Sequence, residues 1–378
     1  MAKNKFSATA TRRKFLGGAA VAGAATIAMP QVSRAQTVTL KMQSGFGATD
    51  PLNEFGANYA KHVNEMGGSR LKIDYLSAGS VVKPFSVMDA TSQGVLDGNW
   101  SVPAYWYGKH RAASLFGTGP NYGQTASNFM GWFYYGGGQA LYDELTQKIL
   151  NLNVQGFYAF AMPTQPLGWF KKELKGPDDF KGMKYRTVGL ASNVMQAMGA
   201  SVAQLPGPEI LPAMEKGVIE AFEYNNPTSD MRFGAQDVAK YYYLGSYHQA
   251  SESIEVVYNK TKWDGLAAEQ RQLLKLAAMS SNSDNIWHAW DMYSKDLELL
   301  QTKYKIVVKR TPESIFKAQL TAWDKVVNEI SSDANQGPFV KKVLESQKAF
   351  FKRVAFYNIN NEADYKAAWE HYFGAMKV

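Results

Sequence analysis

Hydrophobic and polar positions along this chain switch repeatedly between two periods. VTLKMQSG (residues 38–45) alternates residue by residue and predicts a strand. PLNEFGANYAKHVNEMGG (51–68) has the apolar spacing of a helix closed by glycines, and RLKIDYL (70–76) predicts a second strand. Strand, helix and strand in that order argue for an α/β class with parallel pairing. Two later segments, DATSQGVLDG (Asp89–Gly98) and PAMEKGVIEA (Pro212–Ala221), repeat one form: Ala, three residues, Gly, Val, Leu or Ile, an acid, then Gly or Ala. Each fits a helix ended by a left-handed glycine and followed by a strand, the trace two lobes of similar topology would leave. Beyond Asn259 the period becomes helical, broken by the short strand KIVVKR (305–310), with Thr311 and Glu313 opening the next helix. The final stretch, from Phe339 on, is helical and rich in aromatics, which need a surface to cover, either the chain's own or that of a second copy.

With 378 residues, two domains are expected. The first 35 read as an export signal. Arg12 and Arg13 precede Phe15 and Leu16, a small-residue apolar run spans 17–29, and Ser33-Arg34-Ala35 offers a cleavage site before Gln36. The twin arginine points to the Tat route, and the apolar run is shorter than the roughly 20 residues of a membrane span. Removing 1–35 takes away six basic residues and no acid, so formal charge falls from +8 to +2 and a nucleic-acid partner loses its electrostatic support. The absence of cysteine excludes disulfides, iron–sulfur clusters, thiolate metal sites and cysteine nucleophiles. The five histidines, His62, His110, His248, His288 and His371, are scattered without zinc spacing.

GMKYRTVGLASNVMQAMGA (Gly182–Ala200) reads as strand, glycine turn and helix, with Arg186 near the strand's end. That is where open α/β sheets hold anionic ligands, and a guanidinium fork matches a carboxylate two-pronged. Polar and aromatic residues recur at other strand ends: Tyr105 and Trp106, Gln165, Glu223 and Tyr224, His248 and Gln249. They form no Ser-His-Asp order, P-loop or full dinucleotide fingerprint; GFGATD (45–50) has too few glycines for the last. The inventory suits recognition: an arginine for an anion, aromatics for walls, and Gln and Glu oxygens for a hydroxyl, an oxo group or a cation.

The segment from Gly182 to Tyr224, with SAGSVVKPFSVMDATSQGVLDG, YWYGK, YYGGGQALYDEL and YHQASESIEVVYNK, closely resembles the solute receptors of TRAP transporters, the DctP-like family. The branch is that of the 2-oxo-acid, lactate and mannitol/chloroaromatic receptors, and the matches run in family order over nearly the whole mature chain. The resemblance implies a two-lobed, periplasmic-binding-protein-like α/β fold with a ligand cleft between the lobes and a helical carboxyl-terminal region. Lobe I would take residues 36–160 with a return segment over about 250–310, lobe II 161–249, and the carboxyl-terminal helices 311–378. Arg186 would be the carboxylate clamp. A cation beside the ligand would be held by Gln165, Glu223, the carbonyl of Tyr224 and Gln249. Tyr224 stands where the family has tryptophan, and Gln249 where it has a second carboxylate; with Glu223 the single acid, sodium, a weakly held calcium and no cation all stay open. Tyr105 and Trp106 match the aromatic cleft segment, as lining or as core, and His248 would meet ligand or pack behind it.

The implied function is that of a non-enzymatic periplasmic receptor delivering a 2-oxo or 2-hydroxy monocarboxylate to a TRAP permease. An aromatic carboxylate is the alternative ligand, and a Tat-exported, cofactor-dependent enzyme the alternative of another class. Relatives in this branch exchange a long terminal helix to form a homodimer, and residues 349–373 have the length and apolar content for it.

Overall fold

A computed structural model describes residues 37–376, so the export signal expected over 1–35 lies outside the described residues. The chain builds two sheets. The first contains β1 (Val38–Ser44), β2 (Leu71–Leu76), β3 (Gly98–Ser101), β4 (Val154–Met162) and β10 (Glu252–Asn259), in the order β2-β1-β3-β10-β4. β1 pairs parallel with β2 and β3, while β10 runs antiparallel to β3 and β4. The second contains β5 (Gly168–Phe170), β6 (Lys184–Arg186), β7 (Ser201–Ala203), β8 (Ala221–Phe222), β9 (Tyr241–Leu244) and β11 (Val307–Arg310), in the order β11-β9-β5-β8-β6-β7.

The predicted opening unit is present. Helix Pro51–Gly67 links β1 to β2; Oδ1 of Asp50 caps it by accepting from the Leu52 amide at 2.9 Å, and Pro51 fills a first-turn position where no amide donor is needed. Both sheets bury both faces, as neighbouring aromatics on one strand show. On β5, Trp169 stacks on Tyr242 on one side, and Phe170 packs against Tyr185 and Tyr243 on the other. The first sheet likewise lies between Phe55, Tyr59 and Trp100 on one face and Trp132, Phe133 and Tyr158 on the other.

The chain passes between the sheets three times. β4 leads into β5 through Pro163-Thr164-Gln165-Pro166, where two prolines deny the backbone the donors of a central strand. The return runs from β9 to β10 through residues 245–251, and the amide of Gln165 binds the carbonyl of Gln249 at 3.1 Å, tying the two passages together. The third passage is helix Ala268–Thr302, which packs on β4 and leads to β11. The return segment expected over about 250–310 therefore serves the first sheet only in part. β10 joins that sheet, but Val307–Arg310 pairs parallel with β9 in the second, its backbone donors met there.

Helices Glu313–Ser332 and Gly337–Asn361 follow. The second buries Phe339, Val340, Val343 and Phe351 against the first sheet's outer layer, so much of the terminal aromatic content covers the chain's own core. Farther along the same helix Phe356 and Tyr357 are exposed, and the following helix Tyr365–Phe373 buries none of its residues.

Candidate functional site

β6 lies between β7 and β8, and its last residue is Arg186, 1 % exposed. The chain then turns at Gly189, φ 62°, into helix Leu190–Ala197; a side chain there would be strained and would meet Ser114 Oγ at 2.7 Å. The guanidinium is held by its surroundings. Nε and Nη2 donate to the Leu205 carbonyl at 2.8 and 2.6 Å, and Nη1 donates to the Glu223 carbonyl at 2.7 Å and to Glu223 Oε1 at 3.0 Å. Of the five N–H groups of an arginine, one on Nη2 remains for a ligand.

Glu223, which follows β8, is equally buried. Burial pushes its carboxyl up to about 7 against the opposing pull of Arg186. Its other oxygen, Oε2, joins a cluster. One end of the Gln165 amide faces Glu223 Oε2 at 2.7 Å, Gln249 Oε1 at 3.0 Å and the Tyr224 carbonyl at 3.2 Å; the other faces Asn225 Nδ2 at 3.2 Å. With nitrogen at the first end, Gln165 donates into the cluster. With oxygen there, four oxygens converge, which is the donor set a hard cation takes. The four expected cation residues thus meet at one place, on the two passages between the sheets and the end of β8, and they fit sodium or calcium.

Around this cluster the side chains close on a cavity of about 20 Å³. Arg186, Gln165, Tyr105, Tyr224 and Gln249 line it together with Glu252. A volume suited to about one water admits an organic acid only when the walls part. Tyr105 is positioned by edge contact with Phe85, ring centroids 4.6 Å apart. Two expected residues stand elsewhere. Trp106 turns into the core, where its indole donates to Glu255 Oε1 at 2.7 Å; the buried indole N–H needs a partner and finds it away from the cavity. His248 lies behind Glu223: its Nδ1 meets Ser246 Oγ at 2.5 Å, and its Nε2, with no hydrogen-bond partner among the described residues, is 4.0 Å from Glu223 Oε2. Burial, then the Arg186 charge, lower the imidazole to about 3, so it is neutral.

Two acids escaped the sequence reading. Glu252 opens β10 and borders the cavity. Asp50, the cap of the first helix, accepts hydrogen bonds across the cleft from the Tyr224 hydroxyl and from Ser229 Oγ. Tyr224, where the resemblance implies a tryptophan, thus makes a hydroxyl contact from the second sheet's side to the first. Nothing in their spacing marked either acid: Asp50 acts through Tyr224 and Ser229, and Glu252 joins Thr118 as well as its near neighbour Gln249.

A family model described as bacterial extracellular solute-binding protein, family 7 (DctP), matches residues 44–334. The chain belongs to this family. It is 33 % identical over 367 residues to the monocarboxylate 2-oxoacid-binding periplasmic protein of Nostoc sp., covering 94 % of this chain and 98 % of that protein. Among solved structures it resembles a TRAP periplasmic solute binding protein of Pseudoalteromonas atlantica with bound sodium and pyruvate. That likeness has a TM-score of 0.79 at 27 % identity and covers 90 % of this chain and 100 % of the other. It resembles one of Colwellia psychrerythraea with bound calcium and pyruvate at TM-score 0.80 and 26 % identity, over 89 % and 100 %. The two-lobed architecture of these receptors is the arrangement of the two sheets here.

Proposed function

We propose that this chain is the extracytoplasmic receptor of a TRAP transporter, binding a 2-oxo or 2-hydroxy monocarboxylate between its lobes and handing it to a membrane permease. The observation that carries the reading is the buried Arg186 beside the cluster formed by the Gln165 amide, Glu223 Oε2, the Tyr224 carbonyl and Gln249 Oε1. The ligand carboxylate meets the remaining Nη2 hydrogen of Arg186; a two-pronged grip needs Glu223 Oε1 to leave Nη1, which frees that carboxylate for the cluster. A cation, when bound, supplies positive charge for the ligand's carboxylate and its 2-oxygen. Tyr105 walls the cavity, and ligand contacts made from both lobes favour the closed state. On this reading the protein is a receptor and not an enzyme, it leaves the cytoplasm by the twin-arginine signal of residues 1–35, and its lobes divide the chain as 36–160 and 161–249.

A thermal-shift series on residues 36–378, stripped of ligand by refolding, tests this with pyruvate, 2-oxobutyrate, lactate, benzoate and dicarboxylates, each with calcium, with sodium and with chelator. A ligand at about a hundred times its dissociation constant adds about 2.7 kcal/mol. Stabilisation by 2-oxo and 2-hydroxy acids is expected. Shifts confined to benzoate would replace the substrate class, and silence with every acid would sink the receptor reading.

The reading includes a homodimer formed through the carboxyl-terminal helices. Tyr365, Tyr372 and Phe373 stand 69, 78 and 72 % exposed, while Trp287 and Trp290 are exposed on helix Ala268–Thr302. An aromatic surface on this scale marks an interface. Sedimentation at micromolar concentration is expected to give a dimer that Tyr372→Asp/Phe373→Asp turns into monomer; a monomeric wild type would overturn it.

A further inference from the structure

Position 249 is where the family resemblance implies a second acid, yet it holds glutamine, and an amide offers oxygen to a cation by only one of its two ends. The surroundings of Gln249 decide which. Its Nε2 faces two acceptors, Thr118 Oγ1 at 3.2 Å and Glu252 Oε2 at 3.3 Å. The single hydroxyl hydrogen of Thr118 is committed to Glu252 Oε2 at 2.5 Å, so the hydroxyl oxygen can only accept from Gln249. With Glu252 ionised, reversing the amide would set its oxygen against two oxygens that have no hydrogen to give. Oε1 is therefore fixed toward Gln165 and the cluster.

Glu252 is itself fixed. Its Oε1 accepts from the Ser253 amide at 3.0 Å, the residue is 1 % exposed, and its carboxylate fills the space a side chain at Gly117 would need, since a Cβ there would lie 1.7 Å from Oε1. We infer that Glu252 is a positioning residue that makes Gln249 an oxygen ligand and keeps the site's second negative charge one side chain behind it. When both are ionised, Glu223 and Glu252 together outweigh Arg186 by one negative charge, which suits a divalent ion such as calcium. The carboxylate missing at 249 is relocated three positions along the chain.

The inference rests on the cation reading of the proposed function. Its test is calorimetric titration of calcium chloride into the ligand-free mature protein, followed by pyruvate with calcium and with chelator. Glu252→Gln is expected to weaken calcium by about 10–100-fold, as loss of a ligand-orienting partner does, and to remove the calcium dependence of pyruvate binding. Gln249→Glu/Glu252→Gln, which moves the acid to the cluster, is expected to restore both. Wild-type calcium affinity in Glu252→Gln would overturn the inference, as would a double variant as weak as the single one, because a merely structural carboxylate would not be rescued from position 249. If Glu252→Gln fails to fold, Thr118→Val removes one of the two acceptors and should weaken calcium; an unchanged affinity there overturns the inference equally. A wild type that binds pyruvate identically with calcium and with chelator overturns the cation reading and this inference while leaving the receptor intact, whereas one that binds neither removes the receptor reading as well.

Discussion

Arg186→Ala is expected to abolish measurable binding of pyruvate and its relatives and to destabilise the ligand-free protein, the latter depending on pH. Binding loses a hydrogen bond to a charged group, about 1.5–3 kcal/mol or at least tenfold. The site also loses its order, because the guanidinium holds the Leu205 carbonyl, the Glu223 carbonyl and Glu223 Oε1 together. Removing one partner of a buried ion pair leaves an uncompensated charge, a cost of about 3–5 kcal/mol. Glu223 is already lifted to about 7 with Arg186 holding it down, and rises further without it, so at low pH it takes up a proton and avoids the cost. Urea unfolding should show the full penalty near pH 8 and a much smaller one near pH 5.5. Equal penalties at both would mean that Glu223 is not the group left stranded. Arg186→Lys keeps the charge but not the fork, and is expected to recover part of the stability and little of the binding.

How much of this was legible in the sequence follows from how local each feature is. The first strand, its helix and the second strand were readable because alternation, and helical spacing closed by glycines, are written in consecutive residues. The placing of Arg186 at a strand's end was readable because strand, glycine turn and helix adjoin it, and its role as anion anchor is a proposal. The proposed cation residues were named by family resemblance, and their convergence depends on two passages between sheets that bring Gln165 beside Gln249. For Trp106 the sequence left lining and core open, because an aromatic at a strand end looks the same whether it faces a cleft or, as here, a buried acid 149 positions away. Glu252 and Asp50 were missed for the same reason. Only Gln249 is near Glu252 in sequence; Thr118, and Tyr224 and Ser229 for Asp50, lie far along the chain. The exit of β11 to the second sheet was hidden because a short alternating run such as KIVVKR fits either sheet.

The buried acids give the ligand-free and loaded protein opposite responses to pH. Burial lifts Glu223, Asp230, Glu252 and Glu255 each to about 7, from ordinary values of 4.5 for the glutamates and 3.8 for the aspartate. A carboxyl raised in the folded state favours folding fully below its unfolded value, and that contribution is lost as pH rises through the folded one. The ligand-free protein is therefore expected to melt lower as pH rises from about 5 to about 8, with a slope of about 1.4 kcal/mol per pH unit for each proton held by the folded state. Calcium binding runs the other way, because the cluster must present Glu223 as an anion; calcium affinity should rise about tenfold per pH unit below about 7 for each proton released. Glu255 separates the two effects. Its carboxylate accepts from Trp106 and Tyr142, both in the core, and it does not line the cavity. Glu255→Gln should flatten the pH slope of the ligand-free melting temperature while leaving the pH dependence of calcium titration as in wild type. If Glu255→Gln altered the calcium profile, the buried acids would form one titrating unit, and proton release on binding could not be assigned to the cluster around Glu223.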